Sequence, residues 1–441
     1  MSNRASKTVR ATPSWHTARL GEVLPLTYGK AKGDAHGYPR PGTPVYGSSG
    51  QFGTHAKALT QGPTLVVGRK GGAGSVHYSP GPCWPTDTAY YTEGNENVHL
   101  PLFRYLLEWL RLDRLDRSTA VPSLSRDDYN SIIVQYPTNL SEQLSIVQTI
   151  EEQLSKIDAG VAALRRAQAN LKRYRASVLK AACEGRLVPT EAELARQQRR
   201  GYETGFELLL RAKRPPRPNR WNTRSTDTVL GHAALAIGNP ETRLPEGWIW
   251  AHLVDLAEMG TGHTPSRQHP EWWIGNIPWI TLTDARWRHG RTIHQTEEQT
   301  NEEGLAHSAA RLLPASTVCI SRTASVGYVV EMGAPMATSQ DFVNWTPTES
   351  ILPAWIRIVF SADRQALLRF GKGSVHKTIY FPEWLSIHIA LPPLAEQERI
   401  AGELDRLLSI TDQIEGTIVA NLQRAGQLRR SALERAFRSE S

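Results

Sequence analysis

Leu65-Val-Val-Gly-Arg-Lys-Gly-Gly-Ala-Gly-Ser-Val76 is answered far down the same chain by Val318-Cys-Ile-Ser-Arg-Thr-Ala-Ser-Val-Gly-Tyr-Val329, with Arg69 on Arg322 and Gly74 on Gly327. Each stretch opens as a short apolar run of the kind buried in a sheet and breaks into a glycine-bearing turn, so the pattern predicts strand then turn in both places. A repeat decides architecture before any single motif does. Working outward, Trp15-x4-Leu20-Gly-Glu-Val23 recurs as Trp248-x4-Leu253-Val-Asp-Leu256, and Thr86-Asp-Thr-Ala-Tyr90 lines up with Thr338-Ser-Gln-Asp-Phe342. Tyr129-Asn-Ser-Ile-Ile-Val134 matches Trp384-Leu-Ser-Ile-His-Ile389, and Glu142-Gln143-x2-Ile146 matches Glu396-Gln397-x2-Ile400. Ser177-Val-Leu-Lys-Ala-Ala-Cys183 matches Ser431-Ala-Leu-Glu-Arg-Ala-Phe437. The expected fold is α+β: two β-rich globules, each followed by a long helix.

The helices are legible from spacing. Val147, Ile150, Leu154, Ile157, Val161, Leu164, Leu171 and Val178 recur at steps of three and four, as do Ile400, Leu404, Leu407, Ile414 and Ile418. That is the apolar seam of a coiled coil. Neither Ser141–Glu184 nor Ala395–Arg438 contains proline, so each span is expected to run unbroken for roughly 60 Å. A seam of that length outruns one small domain, and the two helices are expected to pair antiparallel. Glu142 and Glu396 fall in the first turns, where carboxylates favour unpaired amides and the helix dipole. The boundaries read as a first globule at 12–137, a helix at 138–188, a linker at 189–243, a second globule at 244–391 and a helix at 392–438. The linker carries Arg196-Gln-Gln-Arg-Arg200, and prolines at 215, 216 and 218 forbid a continuous helix, so it reads as basic and semi-extended.

The 441 residues suffice for several cores, and 40% hydrophobic with 21% charged residues is a globular composition. No apolar run reaches the roughly 20 residues of a membrane helix, and no apolar stretch follows the basic start, so a cytoplasmic location is expected. Lys and Arg number 51 against 43 Asp and Glu, a net charge of +8, which favours a polyanionic partner. Cys83, Cys183 and Cys319 form neither a CxxC pair nor an even disulfide set and read as small apolar residues.

Catalytic signatures are missing. Phe370-Gly-Lys-Gly-Ser374 fails as a phosphate loop, because the first required glycine falls on Ala366 and Ser374 does not follow Lys372 directly. Asn239-Pro240 is followed by Glu241-Thr242, not by the Pro-aromatic continuation of an adenine-methyltransferase pocket. The fourteen histidines form no HExxH and no zinc spacing. The sequence predicts no enzyme, no metal and no cofactor of its own.

Three stretches resemble the specificity subunits of type I restriction-modification enzymes: Leu179-Lys-Ala-Ala-Cys-Glu-Gly-Arg-Leu-Val-Pro189 closing the first helix, Leu244-Pro-Glu-Gly-Trp248 opening the second globule, and Leu391-Pro-Pro-Leu-Ala-Glu-Gln-Glu-Arg-Ile400 opening the second helix. The resemblance covers nearly the whole chain. Departures are the Thr12-Pro-Ser-Trp15 opening, the single proline of Tyr136-Pro-Thr and a C-terminus without Gly-Arg-Leu-Val-Pro. It implies two target-recognition domains reading the halves of a bipartite double-stranded DNA sequence, with the helices as spacer. It also implies methyltransferase partners, two of them, that use S-adenosylmethionine and meet the helical regions, with Glu142, Gln143, Glu396 and Gln397 as candidate contacts. A motor-nuclease subunit is the optional third component. The open alternatives are a specificity factor of another phage-defence modification system and a self-contained DNA-modifying enzyme, which the missing motifs disfavour.

DNA reading needs phosphate contacts for position and base-edge contacts for identity. Arg suits guanine and Gln suits adenine in the major groove, so Arg69, Arg322, Gln51 and Gln340 are the expected base readers. Ser48, Ser49, Lys70, Arg117, Thr323 and His376 add donors on neighbouring loops, and Lys372 and Lys377 are expected phosphate clamps. Trp272, Trp273, Trp279 and Trp287 offer stacking surface but read first as packing.

Overall fold

The computed structural model describes residues 15–31, 42–115, 121–216, 243–371 and 377–438. The chain divides into two compact units, Met1–Ala167 with Thr417–Ser441, and Gln168–Gly416.

In the first unit, strand Trp15–Arg19 pairs antiparallel with Ile133–Pro137 and closes the globule at its ends. Between them lies a four-stranded antiparallel sheet in the order Thr27–Tyr28, Ala89–Thr92, Thr64–Gly68, Val76–Ser79. A three-stranded sheet follows the order Gly50–His55, Thr43–Gly47, Trp84–Pro85, its last pair parallel. Every residue of Thr64–Gly68 is buried, yet the two faces serve different clusters. Leu65 and Val67 pack with Leu102, Phe103 and Leu106 of helix Leu100–Leu110, while Val66 packs with Tyr46, Cys83 and Ala89. Alternation at period two thus feeds two apolar layers from one strand, each buried side chain contributing about 1.5 to 3 kcal/mol.

The second unit repeats the plan. Ile249–His252 pairs with His388–Leu391, and a five-stranded sheet runs Ala257–Thr261, Phe342–Pro347, Val318–Ser321, Val329–Met332, Arg291–Ile293. Glu298–Thr300, Ile277–Ile280 and Ala337–Thr338 form the smaller sheet, again with a parallel last pair. Val318 and Ile320 face one cluster and Cys319 the other, as Leu65, Val67 and Val66 do in the first unit. The strand Arg291–Ile293, parallel to Val329–Met332, is an addition without a counterpart among the described strands of the first unit.

The ladders correct one alignment. Gly68 pairs with Ala89 and Ser321 with Phe342; Tyr46 pairs with Pro85 and Ile280 with Thr338. Asp87 therefore corresponds to Gln340, one residue away from the match suggested by Thr86 and Thr338. A shared threonine drew the sequence alignment, whereas inter-strand hydrogen bonds fix the register.

The two long helices are Leu140–Cys183 and Leu394–Phe437, 44 residues each, and by residue number each starts in one unit and finishes in the other. Within the first unit, Val147, Ile150 and Leu154 share a core with Ala432, Leu433 and Phe437, and Arg429 reaches Asp158 at 3.4 Å. Within the second, Val178 and Ala182 share a core with Ile400 and Leu404, and Arg175 pairs with Asp412 and, at 3.0 Å, with Glu415. Farther along the second unit's chain Glu191 takes Arg399 at 2.6 Å, so the segments run antiparallel. Ile414 leaves the expected seam: it is 45% exposed while Thr411 and Ile418 are buried, because the interface there is held by the Arg175 ion pairs rather than by apolar packing.

The stretch read as a semi-extended linker holds two helices, Glu191–Gln198 and Gly205–Arg211, each opened by a capping box, Thr190 with Glu193 and Thr204 with Glu207. Three of its arginines are engaged: Arg196 with Glu246 at 2.7 Å, Arg200 with the buried Glu191 at 2.5 Å, and Arg211 with Glu203. Among the described residues no helix is long and apolar enough to cross a membrane.

Candidate nucleic-acid interface

The repeated turn is built the same way twice. The Gly74 amide donates to the Gly68 carbonyl at 2.9 Å, and the Gly327 amide to the Ser321 carbonyl at 2.9 Å. Both glycines sit at positive φ, +77° and +87°, and a side chain on Gly74 would come within 2.3 Å of the Asp113 nitrogen. The Arg69 carbonyl accepts from Leu124 at 2.9 Å, and the Arg322 carbonyl from Ile379 at 3.0 Å.

The two arginine side chains bend back onto one neighbouring turn. Nε and a terminal nitrogen of Arg69 donate to the Asp87 carbonyl at 3.0 and 2.6 Å. A terminal nitrogen of Arg322 donates to the Gln340 carbonyl at 3.2 Å and its Nε to Ile379 at 3.3 Å, the guanidinium lying 4.5 Å from the Phe381 ring centre. Burial pulls the Arg322 guanidinium below its ordinary value, against the Asp341 charge, which holds the proton on. Each arginine thus braces the turn whose tip is Asp87 or Gln340.

Around the first turn, Ser49, Gln51 and Lys70 are exposed. Ser48 is not available in the same way: it is 9% exposed, its Oγ accepts from Gly72, its amide donates to Thr88 Oγ1, and its carbonyl receives the Ser75 hydroxyl. Around the second turn, Gln340 and Lys377 are exposed, and Thr323 donates its hydroxyl to Asp341. Arg117, Lys372 and His376 lie outside the described residues. The structure adds residues the spacing did not single out. Tyr28, 48% exposed, has Arg69 5.5 Å and Arg126 5.3 Å from its ring centre; Thr264 holds the Gln340 side chain; and Tyr380 is half exposed beside the buried Ile379. The residues around Tyr28 are far apart in sequence, and no local pattern joins them.

The tryptophans mostly pack. Trp279 is buried, Trp272 stacks on His269 and His307, and Trp273 lies under Arg267, whereas Trp287 is 81% exposed. Gln143, Glu396 and Gln397 are fully buried, which corrects their reading as partner contacts: their side chains have no surface to offer, and Glu142 alone of the four is partly exposed. Among the described residues no cluster of histidine, cysteine, aspartate and glutamate is arranged to hold a metal. The arrangement offers rigid turns with exposed donors and acceptors, which suits recognition.

A family model described as the type I restriction modification DNA specificity domain matches residues 13–168 and 245–424. The chain belongs to this family. The two matched segments each take in one β-rich globule and part of the helix that follows it, so the type I specificity domain occurs twice here. The chain is 26% identical over 187 residues to the specificity subunit of the type I restriction enzyme MjaIX of Methanocaldococcus jannaschii, covering 42% of this chain and 41% of that protein. It is 32% identical over 174 residues to the EcoR124I/EcoR124II specificity subunit of Escherichia coli, covering 37% and 42%, and 25% identical over 281 residues to the HindI specificity subunit of Haemophilus influenzae, covering 58% and 59%. The chain thus spans less than two thirds of the length of these relatives. One chain of a solved type I R-M system structure, concerned with complex assembly and conformational transition, shares the fold with a TM-score of 0.59, 98% of this chain and 100% of that one being covered at 16% identity.

Proposed function

We propose that this type I specificity protein is the non-catalytic DNA-reading subunit of a restriction-modification complex, recognising a bipartite duplex sequence with one domain per half. The observation that carries the reading is the turn made twice: in each unit an arginine after a buried strand braces a second turn with an exposed polar tip. Ser49, Gln51, Lys70 and Arg126 would face DNA from the first domain, and Thr323, Gln340 and Lys377 from the second. The N–H groups of Arg69 and Arg322 not spent on backbone carbonyls remain available to a base edge. The long helices set the interval between half-sites and, with Glu142 at their start, offer a surface to two methyltransferase subunits. Those partners would bind S-adenosylmethionine, and a motor-nuclease subunit would complete the restriction assembly.

The test is co-purification of the full chain with its methyltransferase, followed by mapping of methylated positions across genomic DNA. A single two-part methylated sequence supports the reading. Methylation that ignores this subunit, or methyl transfer by the chain alone, overturns it.

A further inference from the structure

Asp87 and Gln340 occupy one position in the two repeats. Each lies two residues beyond the parallel pairing of the small sheet, Tyr46 with Pro85 and Ile280 with Thr338, and each gives its backbone carbonyl to the repeat's arginine. Both side chains are exposed. Their chemistry is opposite. The Asp87 carboxylate only accepts hydrogen bonds, and no described residue donates to it. The Gln340 amide has both capacities in principle, but its oxygen is already taken. Oε1 accepts from the Thr264 amide at 3.1 Å and from the Thr264 hydroxyl at 2.8 Å. A backbone N–H can meet only the oxygen end of the amide, so the orientation is fixed, and both lone pairs are used. What Gln340 presents outward is the Nε2 donor.

We propose that this turn position reads one base pair in each half-site with reversed hydrogen-bond polarity. Asp87 selects a donor edge in the major groove, cytosine N4 or adenine N6. Gln340, held by Thr264 as its positioning residue, selects an acceptor edge, guanine O6 and N7 or thymine O4. The paired use of both amide atoms on adenine, expected of a free glutamine, is closed to Gln340 by the two bonds from Thr264. The inference rests on the DNA-reading function proposed above and adds the base class to it.

The experiment selects from a randomised duplex library with the full chain in complex with its methyltransferase. The variants are Gln340→Glu, Asp87→Asn, Thr264→Val and Thr264→Ser. Gln340→Glu replaces the outward donor with an acceptor on nearly the same shape, and Asp87→Asn makes a donor available at the other site. Each should move the preference at one base pair of one half-site by about 3- to 10-fold, the worth of one hydrogen bond, and leave the other half-site unchanged. Thr264→Val keeps the backbone donor but frees one lone pair of Gln340 Oε1, so it should let adenine be accepted at the Gln340 base pair, and Thr264→Ser should exclude it again. If the wild-type protein selects a bipartite sequence and neither Gln340→Glu nor Asp87→Asn alters any base preference, the inference is wrong while the DNA-reading function stands. If the wild-type protein selects no sequence, the function itself fails and this inference falls with it.

Discussion

Gln397 does in the second unit what Gln143 does in the first. Gln143 Oε1 accepts the His99 amide at 2.7 Å while Nε2 donates to the Pro137 and Asn97 carbonyls at 2.8 and 3.0 Å. Gln397 Oε1 accepts the Leu352 amide at 2.9 Å while Nε2 donates to the Pro392 and Ser350 carbonyls at 3.0 and 3.5 Å. Each helix is therefore clamped, in its first turn, to the end of its own domain's last strand. The glutamine of the Glu-Gln pair that opens both helices is a structural lock.

Removing that lock strands polar groups where water cannot reach them. Gln143→Ala and Gln397→Ala leave a buried amide and carbonyls unpaired and should each cost about 2 to 4 kcal/mol. Urea unfolding of the full chain measures this. A loss below about 1 kcal/mol in both variants would show that the clamp is dispensable.

Glu396, beside Gln397, predicts a pH dependence. Burial is the leading cause that raises its carboxyl above the ordinary 4.5, and the Glu191 charge adds to it; the Glu191 amide, the Trp248 indole and Arg399 pull the other way. The folded state therefore holds this proton more tightly than the unfolded chain does. The stability so gained is complete below the ordinary carboxylate value and is lost as pH rises through the raised one. The stability of the wild type minus that of Glu396→Gln should be largest near pH 4 and decline toward pH 7, about the range above an unperturbed glutamate. A difference that instead grew with pH would reverse the sign and refute the burial argument.

Patterns carried by neighbouring residues were legible in the sequence, and arrangements made by distant ones were not. The repeat, the buried strand at Leu65–Val67 and the proline-free helices are local patterns, and the structure reproduces them to within a residue or so. The helices at 191–211 were legible too, in Thr190-x-x-Glu193 and Thr204-x-x-Glu207, but the charge and nearby prolines outweighed those caps. The correspondence of Asp87 with Gln340 needed the ladders, since the sequence offers a better match one residue away. Tyr28 between Arg69 and Arg126 is made by tertiary packing alone. Burial of Glu396 and Gln397 was hidden because the same residues serve equally well as an exposed helix start.

Arg322 braces its turn from a half-buried position, and Arg69 does so nearer the surface. Lysine keeps the charge but not the fork, so Arg322→Lys should blur base selection across the second half-site and destabilise the chain by about 1 to 3 kcal/mol. The first half-site should be read as before. Methylation mapping with the variant checks this, and equal blurring of both halves would mean that the domains do not read independently.

The last expectation concerns the interval between half-sites. Asp158 meets Arg429 within the first unit, and counting antiparallel from that pair puts Ala167 opposite Ala420. Seven residues inserted after each of these alanines would lengthen both helices and preserve the phase of the apolar seam, because a heptad returns each side chain to the same face. A shorter insertion in one helix alone would rotate the seam and confound spacing with misfolding. The added length is about 10 Å, close to three base pairs at 3.4 Å each. If the helices are the ruler, mapped methylation should show the same two half-sites with an unread gap about three base pairs longer. An unchanged gap with normal stability would assign the spacing to some other part of the complex. New half-site sequences would show that the helices shape the reading surfaces themselves.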